Sequence, residues 1–228
     1  MDLFSVNNPN FIFNFSFWFA TASMLACTAF FYVERKDVPA KWKTSITVAM
    51  LVTGIAFWHY LYMSKYFFET GQSPLVLRYV DWLITVPLQI VEFYLILAAV
   101  TAVSRSLFWQ LLGASLVMLV FGFVGEAGLM SRMPAFAIGM LGWIAVLYLI
   151  FFGAAANVSD SSGNKAGQSA FKALRFIVLV GWAIYPLGYY FNVPGEGASM
   201  TNIIYNFADL VNKAAFGLVI WAAAKSDS

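Results

Sequence analysis

Apolar runs long enough to cross a bilayer, about 20 residues each, recur along this chain and leave little outside them. Seven can be read, at about 11–33, 45–67, 75–98, 107–130, 135–156, 171–191 and 202–224. The breaks between them have clear signatures. "ERKDVPAKWK" is charged and holds a proline, "ETGQSP" and "NVPGEGAS" are rich in turn residues, and "SRMP" is a tight connection. "NVSDSSGNKAGQS" reads as a polar, flexible link. The runs are twice the length of a barrel strand and do not alternate, which excludes a β-barrel. The expected fold is all-α: a seven-transmembrane-helix bundle forming one membrane domain over residues 1–228.

Composition agrees with the lipid bilayer as solvent. Hydrophobic residues make up 61% of the chain and charged residues 11%, against about 45–50% and 25% in soluble domains. A net charge of +2 without a basic tract excludes nucleic acid as a partner. One cysteine, Cys27, excludes an internal disulfide and a cysteine-based metal cluster, and no metal site is expected. The opening "MDLFSVNNPN" has no basic start leading into an apolar stretch, so either the first span is the insertion signal or a leader has been removed. Arg35, Lys36, Lys41, Lys43, Arg105, Lys165 and Lys225 lie on one side of the bundle, against Lys65 and Arg132 on the other. By the positive-inside rule the N-terminus is outside and the C-terminus cytoplasmic.

Against this background the stretch "RYVDWLITVPLQIVEF" is costly. Arg78, Asp81, Glu92, Glu126, Asp209 and Lys213 all fall inside apolar runs, as does the single histidine, His59. A charge at mid-bilayer costs roughly 2.5–3.5 kcal/mol on insertion scales, and such residues are functional by default. Glu126, near the outer end of its run, reads as structural. At 100° per residue Arg78, Asp81, Thr85 and Glu92 share a helix face. Asp81 and Glu92 stand roughly 16 Å apart along the axis at ~1.5 Å per residue, too far to share one proton. They suit a relay with a third group between them. Asp209 and Lys213, one turn apart in "YNFADLVNKAAFG", supply it. A lysine buried without a partner loses its proton, whereas one joined to an aldehyde is a cation that needs counterions. Trp82, Trp143, Trp182 and Tyr185 suit a flat apolar ligand beside it, although taken alone they read better as the packing of an aromatic-rich bundle. His59 has two readings, a structural hydrogen-bonder or a pH-responsive partner of Asp81.

Together these blocks resemble the microbial rhodopsins, and within them the proteorhodopsins. The likeness runs from "SFWFATASMLACTAFFYVER" through "AKWKTSITVAMLVTGIAFWHY", "RYVDWLITVPLQIVEFYLILAAV" and "SLVMLVFGFVGEAG" to "GWAIYPLGYY" and "IIYNFADLVNK". The resemblance implies all-trans retinal bound covalently to Lys213 as a protonated Schiff base. It implies Asp81 as counterion and proton acceptor, Glu92 as proton donor, Asp209 as second counterion and Arg78 as the charge beneath them. Thr85 is the middle residue of the motif, and His59 tunes the acceptor. Trp82, Met118, Gly122, Trp143, Trp182 and Tyr185 are implied to line the retinal. Gln89 is implied to set the colour, since relatives with glutamine there absorb blue and those with leucine green. The family assembles as pentamers or hexamers with His59 and Trp18 near the subunit interface, in the bacterial inner membrane. The expected function is a blue-light-driven outward proton pump rather than an enzyme. The alternatives are a slow-cycling blue-light photosensor, against which Glu92 argues, and a retinal-free channel, against which the Asp209–Lys213 pair argues.

Overall fold

The structure, a computed structural model, describes residues 5–191 and 200–227. Seven of its helices are long and apolar enough to span a membrane: α1 Phe11–Asp37, α2 Ala40–Thr70, α3 Leu75–Val100, α4 Arg105–Glu126, α5 Arg132–Ser161, α6 Lys165–Phe191 and α7 Met200–Ser226. No strand occurs among the described residues. Each helix packs on the next, α7 closes back on α1, and α3 and α2 reach across the ring to α6 and α7 respectively. Burial is uneven and decides where polar groups can sit. In their most apolar windows α7 is 56% buried, α2 50% and α3 44%, but α4 only 22%. The intramembrane charges lie mainly on α3 and α7, where protein rather than lipid surrounds them.

Two connections differ from the sequence expectation. The fourth span was expected to reach residue 130, but the helix ends at Glu126. Gly128 turns left-handed there (φ 72°), and Leu129 N–H bonds back to Val124 O at 2.9 Å, the manner in which glycine stops a helix. The link expected to be polar and flexible is mostly helical, with Ala154–Ser161 continuing α5 and α6 starting at Lys165. Asn164 makes this possible as an N-cap, its side chain accepting from Gly167 N–H at 2.7 Å. Polar composition there marks the membrane boundary rather than loss of structure. The expected turn "NVPGEGAS" lies outside the described residues.

Both α6 and α7 contain one widened, π-helical turn, at Ile177–Gly181 and Val211–Ala215. Lys213 lies within the second. Such turns interrupt the regular carbonyl ladder and often mark functional positions.

A polar cluster ties the C-terminal end of α7 to two other segments. Asp227 accepts from Trp42 Nε1 at 2.9 Å and Asn164 Nδ2 at 2.9 Å, and pairs with Lys41 Nζ at 2.6 Å. Desolvation opposes its ionisation, but the bonds from Lys41, Asn164 and Trp42 outweigh this and hold its carboxyl below the usual range. A depressed folded-state value means the stabilisation is full at neutral pH and fades as pH falls through that value. Asp227→Asn is therefore expected to lower unfolding stability in micelles by about 1–3 kcal/mol at neutral pH. Its difference from the parent should shrink in acid, as read by denaturant titration.

Candidate functional site

The centre of the bundle is built on Lys213. Its Nζ pairs with Asp81 Oδ2 on α3 and lies 3.1 Å from Asp209 Oδ2, one turn earlier on α7. All three side chains are almost fully buried. One cation between two carboxylates leaves a net negative charge, which Arg78 balances from one turn before Asp81.

The two carboxylates differ in their surroundings. Asp209 is saturated with donors. Its Oδ1 accepts from Tyr185 at 2.6 Å and Trp82 Nε1 at 3.1 Å, and its Oδ2 from Tyr60 at 2.9 Å and from Lys213. Asp81 is bound at one oxygen only, and its Oδ1 makes no hydrogen bond. Donors are thus concentrated on Asp209, which gains by staying ionised, while Lys213 holds Asp81 through Oδ2 alone. His59 lies beside Asp81 Oδ1, with Nδ1 3.3 Å away. That same nitrogen is 3.0 Å from Ile55 O, so a proton on Nδ1 faces two acceptors, the carbonyl of its own helix and Asp81 Oδ1. His59 is therefore next to Asp81, as the second sequence reading had it, with its Nδ1 between that carboxylate and Ile55 O. Thr85 Oγ1 donates to Asp81 backbone O at 2.9 Å rather than to the carboxylate.

A polar track leads from the centre toward the end of the bundle where α3 begins. Arg78 donates to Asn206 Oδ1 at 2.6 Å, Asn202 Oδ1 at 3.2 Å and Tyr60 OH at 3.4 Å, and lies over the rings of Phe17 and Tyr205 at 5.6 Å each. Sequence reasoning missed Tyr60, Asn202 and Asn206. A signal was present, because Asn202, Asn206, Asp209 and Lys213 are spaced by four, three and four residues, a stripe along one face of α7. Tyr79 was also missed. Its hydroxyl donates to Glu126 Oε2 at 2.7 Å and ties α3 to α4.

Beyond Asp81 in the opposite direction the interior is apolar. Phe93 meets Phe171 and Phe216 edge-on at 5.8 and 5.5 Å. Glu92 is buried at this level and its Oε1 makes no hydrogen bond. An ionised carboxylate without a donor is not tolerated in such surroundings, and a neutral one is.

Beside Lys213 lies a cavity with a mostly apolar and aromatic lining and a few polar groups, the make-up of a small-molecule site. Trp82, Gln89, Met118, Gly122, Trp143, Trp182 and Tyr185 all line it, together with Lys213, Asp209 and Asn212. Gly139 and Phe136 line it too, and the sequence did not point to them. Glycine lets the walls approach closely. A Cβ at Gly122 would press on Tyr79 Oη at 3.0 Å, and one at Gly139 on Met118 O at 3.3 Å. An amine at one wall, flanked by carboxylates and facing flat aromatic surfaces, fits an apolar conjugated aldehyde. Gln89 Nε2 donates to Asn212 O at 2.7 Å, so the glutamine both faces the cavity and joins α3 to α7.

Comparison with known proteins agrees with this geometry. The family described as "Bacteriorhodopsin-like protein" matches residues 11–226. The blue-light absorbing proteorhodopsin of Gamma-proteobacterium Hot 75m4 is 57% identical over 93% of this chain and 86% of its own length. The green-light absorbing proteorhodopsin of Gamma-proteobacterium EBAC31A08 is 55% identical over 93% and 86%. The crystal structure of blue light-absorbing proteorhodopsin from Med12 superposes with a TM-score of 0.82 at 55% identity, covering 95% of this chain and 99% of that one.

Lys213→Met leaves Asp81 and Asp209 buried without their cation. It is expected to cost about 3–5 kcal/mol of stability in the ligand-free protein. Adding Asp81→Asn should recover part of that loss, as measured by unfolding in micelles.

Proposed function

Because the chain belongs to the bacteriorhodopsin-like family, we propose that it is a blue-light-driven outward proton pump that holds all-trans retinal on Lys213. The observation that carries this reading is the inequality of the two carboxylates around Lys213, one with a free oxygen and one saturated. When bound, retinal supplies light absorption and an isomerisation that reorients the proton on the Lys213 nitrogen. The protein supplies the direction. Asp81 receives the proton at Oδ2, the oxygen that Lys213 Nζ already contacts, and has fewer donors than Asp209 to hold it as an anion. Asp209 remains the anion that keeps the nitrogen site favourable to positive charge, through its four donors. Arg78, linked to Tyr60, Asn202 and Asn206, stabilises negative charge on the acceptor side. Glu92 carries a proton at rest in its apolar surroundings and returns it to the nitrogen from the other side.

The Lys/Arg distribution supports an external N-terminus and a cytoplasmic C-terminus, which puts Arg78 on the outer side and Glu92 on the inner. Transport is then outward, across the bacterial inner membrane. Gln89 supports absorption in the blue. A side-chain amide beside the polyene favours the ground state, with positive charge near the nitrogen, and so widens the excitation gap. Exposed Trp18 and Trp58, with a groove over His59 between α1, α2 and α3, support assembly into a pentamer or hexamer through that face.

Illuminated vesicles carrying the protein are expected to show an uncoupler-sensitive pH change. Asp81→Asn should keep a coloured pigment and abolish that change. Glu92→Gln should keep proton release and slow recovery of the nitrogen's proton by at least tenfold, following the 10²–10⁴ range of positioned acid–base groups. Absence of a pH change in the parent at alkaline pH would refute the pump.

A further inference from the structure

The two widened turns of α6 and α7 touch each other, and one side chain joins them. Asn212 Nδ2 donates to Gly181 O at 3.0 Å and to Tyr185 OH at 3.0 Å. The acceptor Gly181 O fixes which end of the amide is nitrogen. Asn212 Oδ1 is left buried without a hydrogen bond. It lies so close to Gly181 that an added Cβ would overlap it. Only glycine admits the amide at this depth. The backbone carbonyl of the same Asn212 accepts from Gln89 Nε2. A chain of contacts therefore runs from Gly181 on α6, through Asn212 beside Lys213, to Gln89 on α3. Gln89 and Asn212 line the cavity, but Gly181 does not.

An amide has a donor end and an acceptor end. Once Nε2 is committed to Asn212 O, the direction of the Gln89 dipole follows the placement of that carbonyl. The carbonyl's placement in turn depends on the Asn212 side chain seated against Gly181. We propose that Asn212 and Gly181 are positioning residues for colour. They fix the carbonyl that aims the Gln89 amide, so the absorption maximum is set partly from outside the cavity. The inference rests on the retinal reading above and adds residues to its tuning element.

The test is a set of absorption maxima after adding all-trans retinal to the full chain. Gly181→Ala, which displaces the Asn212 amide without entering the cavity, should move the maximum toward longer wavelength, in the direction of Gln89→Leu. In the Gln89→Leu background the same Gly181→Ala change should produce a much smaller shift, because no amide remains to be misaimed. Equal shifts in both backgrounds, or no shift in the parent, would overturn the inference. If Gly181→Ala yields no pigment, the Asn212→Leu cycle with Gln89→Leu decides by the same non-additivity. Failure of the parent chain to form any visible band would instead refute retinal binding itself. A Gln89→Leu variant with an unmoved maximum would refute Gln89 as the tuning residue, and this inference with it.

Discussion

Everything in this bundle is arranged around one buried cation held between two anions. Lys213, Asp81 and Asp209 would each be expensive alone at the level where they sit. Together they bring α3 and α7 into contact at the centre and require donors from neighbouring helices to complete the shell. Tyr60 comes from α2, Trp82 from α3 and Tyr185 from α6, and all three point at Asp209. The carboxylate of Asp81 is left incomplete. That inequality separates a device that can move a proton from a structural ion pair, because two equally satisfied carboxylates would offer no preferred acceptor.

The surroundings extend the inequality along the membrane normal. On the side of Arg78 the polar groups connect, through Tyr60, Asn202 and Asn206, so charge placed there finds dipoles. On the side of Glu92 they do not. Phe93, Phe171 and Phe216 form an apolar cluster, and the Glu92 carboxyl is buried without a hydrogen bond to its Oε1. A hydrogen-bonded half and an apolar half lie on either side of one nitrogen, and that asymmetry gives a sense of travel. The widened turns of α6 and α7 serve the same centre, since they present Lys213 and free carbonyls that Asn212 and Gln89 then occupy.

The sequence made the spans and the charges legible because both follow from the cost of placing groups in lipid. Asp81, Glu92, Asp209 and Lys213 stand out in apolar runs, and helical spacing alone puts them on the right faces. Partners such as Tyr60 and Tyr79 were hidden, since an aromatic residue in an aromatic-rich bundle carries no mark of where its hydroxyl ends up. The roles of Asn212 and Gly181 depend on two helices departing from regular winding at facing positions, a tertiary property with no local signature. His59 stands beside Asp81 as its sequence position suggested, and its Nδ1 also meets Ile55 O of its own helix, a contact the sequence did not mark. The segment 154–164 was misread because polarity was equated with flexibility, whereas Asn164 caps a helix there.

The central claim is that Asp81, rather than Asp209, takes the proton that Lys213 gives up. Time-resolved infrared difference spectroscopy of the retinal-loaded protein tests it directly. The account predicts a positive carboxylic C=O band that rises as the Lys213 nitrogen deprotonates and is missing in Asp81→Asn. A band that persists in Asp81→Asn, or nitrogen deprotonation with no carboxyl band at all, would contradict it.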